Sequence, residues 1–183
     1  MTTAAHRDRV AADSAVEVVT IPSPVGALSV GASDVGIRFV MWDRDPRPVP
    51  DGTTDDHRGT ARRHILERAR VQLDEYFRGE RTEFDLPLDP QGTPFQQAAW
   101  AALRTIPYGE TVSYGHQARL LGDVRKSRAV GAANGKNPIG IVVPCHRVVG
   151  SNGSLTGFAG GLSAKAWLLD HERTVATGAG RLF

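Results

Sequence analysis

The hydrophobic period changes along this chain, and that change constrains its architecture more than any other feature. Up to residue 42 the apolar residues come in short β-branched runs, Val16 to Ile21, Ala27 to Ala32 and Gly36 to Trp42, parted by the Pro22 to Gly26 turn and by Ser33-Asp34. Runs of this kind between turn residues read as strands, so a small antiparallel sheet is expected. From residue 60 the spacing is helical, with Ile65, Leu66, Ala69, Leu73, Tyr76 and Phe77 on one face between Thr60 and Arg78. Residues 43–59, crowded with Pro, Asp and Gly, read as a surface loop, 82–88 as one more strand, and Asp89 to Gly92 as a connector. Beyond it the start signals are those of helices. Thr93 is placed to cap, Pro94 fits the first helical position and Gln96 completes a capping box, for a helix to about Thr105. Ile106 to Gly109 breaks it. Ser113 then caps a helix ending near Leu121, and Gly122-Asp123 turns into another from about Val124 to Asn134. The fold class expected is α+β. A loose tail (1–14) precedes a small N-terminal α/β domain (15–91) with a short antiparallel sheet and a helix. A mainly helical domain (92–173) follows, and a C-terminal tail (174–183) ends the chain. The glycine-joined helix pair fits a helix-turn-helix and an ordinary αα-hairpin alike.

Composition narrows the chemistry. Cys145 is the single cysteine among 183 residues, which excludes an internal disulfide and leaves no thiol set for structural zinc. No apolar run approaches the roughly 20 residues of a membrane span. The N-terminus carries Arg7, Asp8, Arg9 and Asp13 where a secretory signal would be apolar. A soluble, cytoplasmic protein is expected. The net charge of +2 divides into −4 for residues 1–91 and +6 for 92–183. A basic half suits a polyanion, although solvated surfaces of this kind are common. Within it, Arg125, Lys126 and Arg128 open a helix that continues as Ala129, Val130, Gly131, Ala132 and Ala133. So bare a face fits close approach to a nucleic-acid backbone and reading of shape over sequence. Arg128 is the one long side chain beside it, either a solvated charge or a rod that fills a base stack after a nucleotide has left.

The chemical centre is Pro144-Cys145-His146-Arg147-Val148-Val149, after the apolar run from Ile139 to Val143. A lone cysteine is commonly an inert small hydrophobe. Here Pro144 ends the run and presents the thiol at the edge of a buried segment, while His146 and Arg147 add donors or positive charge that favour thiolate. On an extended chain His146 would face away from Cys145, so spacing alone leaves contact between them open.

These residues closely resemble the active-site motif of the O6-alkylguanine-DNA alkyltransferase family. Tyr114, Arg128 to Gly131, Asn137-Pro138, Gly157 to Gly161 and Trp167 to Leu169 before His171-Glu172 fall in the family's places, so the resemblance covers about residues 92–173. It implies a DNA repair protein that transfers the alkyl group of O6-alkylguanine, and of O4-alkylthymine, in duplex DNA to its own Cys145. The thioether formed is stable, so each molecule acts once. By the same resemblance His146 takes the thiol proton through a water and Glu172 orients the imidazole. Asn137 is the hinge between recognition helix and active-site loop, and Tyr114 presses on the neighbouring phosphate and donates toward the guanine. DNA contact from the minor groove is implied for Ser113, Tyr114, Arg125, Lys126, Arg128, Ala129, Gly131 and Ala132. The flipped base would enter a pocket of Val143, Pro144, Val148, Phe158, Ala159 and Gly160. Phe158 stands where many relatives carry Tyr, which removes a phenolic hydrogen bond and leaves backbone N–H groups near Ala159 as the donors to the guanine oxygen. No metal or nucleotide cofactor and no membrane is implied; the partner is double-stranded DNA, the protein is a monomer in solution, and it associates with the nucleoid when bound.

Two other readings compete. A helix-turn-helix protein that binds alkylated DNA without chemistry has no need of the thiol. A cysteine hydrolase built on Cys145, His146 and Glu172 lacks a separate strand carrying its base.

Overall fold

The structure, a computed structural model, describes residues 16–43, 45 and 59–178. The expected tail at 1–14 and most of the 43–59 loop lie outside the described residues. Strands β1 (Glu17–Ile21), β2 (Leu28–Ala32) and β3 (Ile37–Trp42) form an antiparallel sheet in that order. Gly31 lies opposite Phe39, and a Cβ there would come within 2.3 Å of that ring, so only glycine leaves the ring its place. Helix α1 (Gly59–Phe77) covers the sheet with Ile65, Leu66, Ala69, Leu73 and Tyr76, the stripe its spacing requires.

Residues 82–88 do not form the expected strand. The Ile37 N–H donates to the Pro87 carbonyl and the Asp89 N–H to the Ile37 carbonyl, and the pairing stops at a single bridge between Ile37 and Leu88. Pro87 has no N–H to extend the ladder.

Helix α2 (Pro94–Leu103) carries the full capping box: Thr93 Oγ1 accepts from the Gln96 N–H, and Gln96 Oε1 accepts from the Thr93 N–H at 2.8 Å. It ends before Thr105 because the N–H groups of Arg104, Thr105 and Ile106 turn to carbonyls three residues back. Strand β4 (Val112–Ser113) pairs in parallel with β5 (Val148–Val149), and Ser113 caps α3 (Tyr114–Leu120) by accepting from the His116 N–H. The single helix expected from Val124 is two pieces, a 3₁₀ turn (Val124–Lys126) capped by Asp123 and then α4 (Ser127–Gly135). Gln117 and Asn134 exchange amide hydrogen bonds between α3 and α4, and Trp100 Nε1 donates to the Ala133 carbonyl, so α2 braces the pair. Helix α5 (Leu162–Thr177) runs past the boundary expected at 173: residues 174–177 belong to its last turn, and left-handed Gly178 ends it.

One hydrophobic core spans both halves. Leu28, Val30 and Trp42 of the sheet pack into the same cluster as Leu66 and Leu73 of α1, Trp100 and Leu103 of α2, and Ile139, Val143, Val148 and Leu168. The seam is also hydrogen-bonded, because the Val40 N–H donates to the Pro138 carbonyl at 2.9 Å and the Gly140 N–H to the Val40 carbonyl at 3.0 Å.

Candidate active site

Cys145 opens a 3₁₀ turn (Cys145–Arg147) that follows Pro144. In such a turn successive side chains diverge by about 120°. Cys145 stays partly exposed while His146 and Arg147 are driven into the interior. His146 Nε2 lies 2.8 Å from Glu172 Oε1, and Glu172, on α5, is fully buried.

The sequence does not reveal how much else meets that carboxylate. Arg147 donates to it twice, from Nε at 2.8 Å and Nη2 at 2.9 Å, Tyr76 Oη donates at 2.8 Å and the Gly109 N–H at 3.1 Å. The expectation that Arg147 lends its charge to the thiol is therefore corrected: its guanidinium is held by Glu172 and by the Ile106 carbonyl. Burial by itself would raise the Glu172 pKa, but the hydrogen bonds from His146 and Arg147 and the Arg147 charge outweigh it and hold the carboxyl well below the usual range. Burial lowers the His146 pKa, against the opposing pull of Glu172. Tyr108, whose ring faces the Arg147 guanidinium, is pushed up to about 12 by burial and by Glu172.

An ionised Glu172 can only accept, so Nε2 of a neutral His146 carries the proton and Nδ1 is left with a lone pair. Among the described residues Nδ1 is buried and has no hydrogen-bond partner. A neutral imidazole nitrogen of this kind can accept a proton.

Asn137 holds the other side of the sulfur. Its Nδ2 donates to the Val143 carbonyl at 2.8 Å and toward Cys145 Sγ at 3.2 Å, while Oδ1 accepts from the Ile139 N–H. The segment between is strained, since Ile141 is buried with φ +68°, a region costly for a β-branched residue.

Cys145 faces a recess of about 10 Å³, room for a single water. Its lining comes from three parts of the chain: Tyr114 with Asn134, Gly135 and Asn137; Gly157, Phe158 and Ala159; and Trp42 with Gly140. Gly140 and Gly160 clasp the Trp42 indole, which a Cβ on either would approach to 2.5 and 2.7 Å. Phe158 meets the same indole edge-to-face at 5.0 Å.

Of the residues expected in the pocket, Phe158 and Ala159 line it and Gly160 lies behind Trp42. The other three do not line this recess. Val143 and Val148 point into the core, where apolar burial holds them, and only the Val143 carbonyl turns toward Asn137. Pro144 lines a separate cavity on the reverse face with Ile106, Tyr108 and Arg147.

On the helical face Arg128, Lys126, Ala129 and Ala132 are exposed, and Gly131 lies beneath the Tyr114 ring. Arg125 is tied to Asp123 by two hydrogen bonds, at 3.0 and 3.1 Å, and Ser113 spends its hydroxyl on the α3 cap.

The family profile described as the DNA binding domain of 6-O-methylguanine DNA methyltransferase matches residues 94–174, and that described as its ribonuclease-like domain matches 18–90. The chain belongs to the 6-O-methylguanine DNA methyltransferase family. A family member from Mycolicibacterium paratuberculosis, a methylated-DNA–protein-cysteine methyltransferase, is 48% identical over 159 residues, covering 86% of this chain and 93% of its own. The Methanosarcina acetivorans protein of the same name is 43% identical over 152 residues, covering 82% and 94%. Among solved family structures, that of the Mycobacterium tuberculosis protein in complex with DNA superposes with a TM-score of 0.78 at 43% identity, over 87% of this chain and 94% of that one. The features of this family member that sequence reasoning missed are Arg147 and Tyr76 on Glu172, Trp42 over the recess, and the buried Lys165. Lys165 Nζ donates to the Val148 and Thr156 carbonyls at 2.7 and 2.9 Å. Nothing in local spacing marks any of them, since each acts across elements distant in the chain.

Proposed function

We propose that this protein removes the alkyl group from O6-alkylguanine, and from O4-alkylthymine, in duplex DNA by moving it irreversibly to Cys145. One observation carries the reading. The thiol sits at a recess, held by Asn137, beside a neutral histidine whose Nδ1 is unpartnered and whose Nε2–H is fixed by an ionised glutamate. His146 Nδ1 takes the Cys145 proton through a water, and the histidinium formed is stabilised by Glu172. The thiolate attacks the alkyl carbon in line. The carbon–sulfur bond forms as the bond from carbon to the guanine oxygen breaks, and that electron pair stays with the purine, which regains a proton as guanine. Tyr114 and backbone N–H groups near Ala159 stabilise the charge gathering on the departing base. Nothing in the site cleaves a thioether, so one molecule repairs one base and no cofactor takes part.

The helix pair α3–α4 acts as the helix-turn-helix. Its bare face lies along the minor groove, with the phosphates near Ser113 and Lys126 and with Arg128 in the gap left by the flipped nucleotide. Residues from 92 to the end of α5 form the catalytic and DNA-binding domain, and those before it the domain that contributes Trp42. The protein works as a cytoplasmic monomer.

Incubation with duplex DNA bearing O6-methylguanine should put one methyl group on the Cys145 peptide and restore guanine, as read by mass spectrometry and base analysis. An unmodified Cys145 beside an intact lesion would overturn the reading. Cys145→Ser should still bind the duplex and transfer nothing, and lost binding would instead assign the thiol a structural role.

A further inference from the structure

The recess in front of Cys145 holds about one water, whereas a purine is many times larger. One of its walls must therefore move before any base reaches the sulfur. The Tyr114 wall is fixed: α3 is capped by Ser113, extends from the β4–β5 pair and is braced by the Gln117–Asn134 exchange. Another wall is Gly157 to Ala159, at the end of a stretch from 154 to 158 that has no regular secondary structure. The stretch is anchored at its ends, where the Gly150 N–H donates to the Ser154 carbonyl at 2.8 Å and the Gly161 N–H to the Phe158 carbonyl at 2.9 Å, and in its middle by two bonds at Thr156. Lys165 Nζ holds the Thr156 carbonyl at 2.9 Å from below, and the Thr156 hydroxyl donates to Tyr114 Oη at 3.1 Å. The second bond joins one wall to the other. Gly157, next in the chain, is in open space, with nothing within 4 Å of where a Cβ would stand.

We infer that Thr156 is a latch: its hydroxyl bond to Tyr114 holds the recess shut in the resting protein and must break for a nucleobase to reach Cys145. For the nature of the entering group this rests on the function proposed above. The Lys165 bond runs to the backbone carbonyl from an ammonium that the Val148 carbonyl also holds, so the Thr156 hydroxyl can release Tyr114 while the backbone stays tethered. Thr156 donates in this bond, and releasing it frees Tyr114 Oη to face an incoming base. Thr156 is thus a positioning residue that acts through Tyr114.

The test uses thiol reagents and no DNA. Because Cys145 is the sole cysteine, intact mass gives its rate of capture by iodoacetamide and by the bulkier N-ethylmaleimide without ambiguity. Thr156→Val, which keeps shape and loses the hydroxyl, should react about two- to tenfold faster than the parent, the range set by one ordinary hydrogen bond, with the larger gain for N-ethylmaleimide. Thr156→Ser should return the parental rate. Tyr114→Phe should match Thr156→Val, and the double variant should add nothing, because all three remove one and the same bond. Parental rates in Thr156→Val, or equal acceleration in Thr156→Ser, would overturn the latch. Failure of the parent protein to take a methyl group from lesion-bearing duplex would defeat the proposed function instead, and these reagent rates would still decide the latch.

Discussion

Glu172 shows how a single residue binds the site to the fold. Arg147→Met removes its counter-charge and two donors, leaving a carboxylate buried with a deficit. The expected loss is about 3–5 kcal/mol of stability, read from urea midpoints. Tyr76→Phe removes one donor and costs about 1–3 kcal/mol. Acid acts in the same direction as these substitutions. His146 and Glu172 both have folded pKa values below their ordinary ones, so the unfolded chain binds protons that the folded one refuses. The His146 contribution is complete above about pH 6.5 and is lost as pH falls below it; that of Glu172 is lost only below the normal carboxylate range, about pH 4. The melting temperature should therefore be lower at pH 5 than at pH 7, and the difference should shrink in His146→Asn. At this scale the sequence was legible where chemistry is local. The motif around Cys145 marks the thiol, and the family resemblance points to His146, Asn137 and Glu172, which the structure joins as Asn137 to Cys145 and His146 to Glu172. The partner of Arg147 does not, because an arginine beside a cysteine gives no sign of a carboxylate 25 residues on that claims it.

At the scale of elements the start signals were dependable and the stops less so. Thr93 and Ser113 cap the helices they were expected to cap, since both signals lie within four residues of chain. The run from Val124 splits because Asp123 caps a 3₁₀ turn before α4 can begin, a choice between hydrogen-bond patterns of nearly equal energy. Residues 82–88 have β-like composition, yet only the neighbouring strand could determine whether they pair, and Pro87 ends the pairing. Helix α4 carries its own prediction. Arg128 is exposed beside a surface of small residues and has no ion-pair partner among the described residues. Arg128→Ala should therefore slow methyl transfer from duplex DNA far more than transfer from a free O6-alkylguanine base, as measured by single-turnover kinetics. Equal slowing with both substrates would take away its role in the base stack.

For the whole molecule, charge and periodicity divide the chain near residue 91, but burial does not. Trp42, Val40 and Ile139 knit sheet and helices into one cluster, so the two halves should lose structure together. Urea unfolding followed by tryptophan fluorescence and by far-ultraviolet circular dichroism should give coincident single transitions, and two separated transitions would show halves that fold independently. Trp42→Ala should lower stability by about 3–5 kcal/mol, as a large aromatic removed from a core does. No local pattern could place this tryptophan over a cysteine 103 positions away, because that contact exists only once both halves have docked. The grip of Gly140 and Gly160 on its indole limits how the protein can be re-tailored. Any side chain introduced at either position strikes the ring before it shapes the chamber, so breeding a variant for bulkier lesions means working from the Gly157 flank and leaving the roof alone.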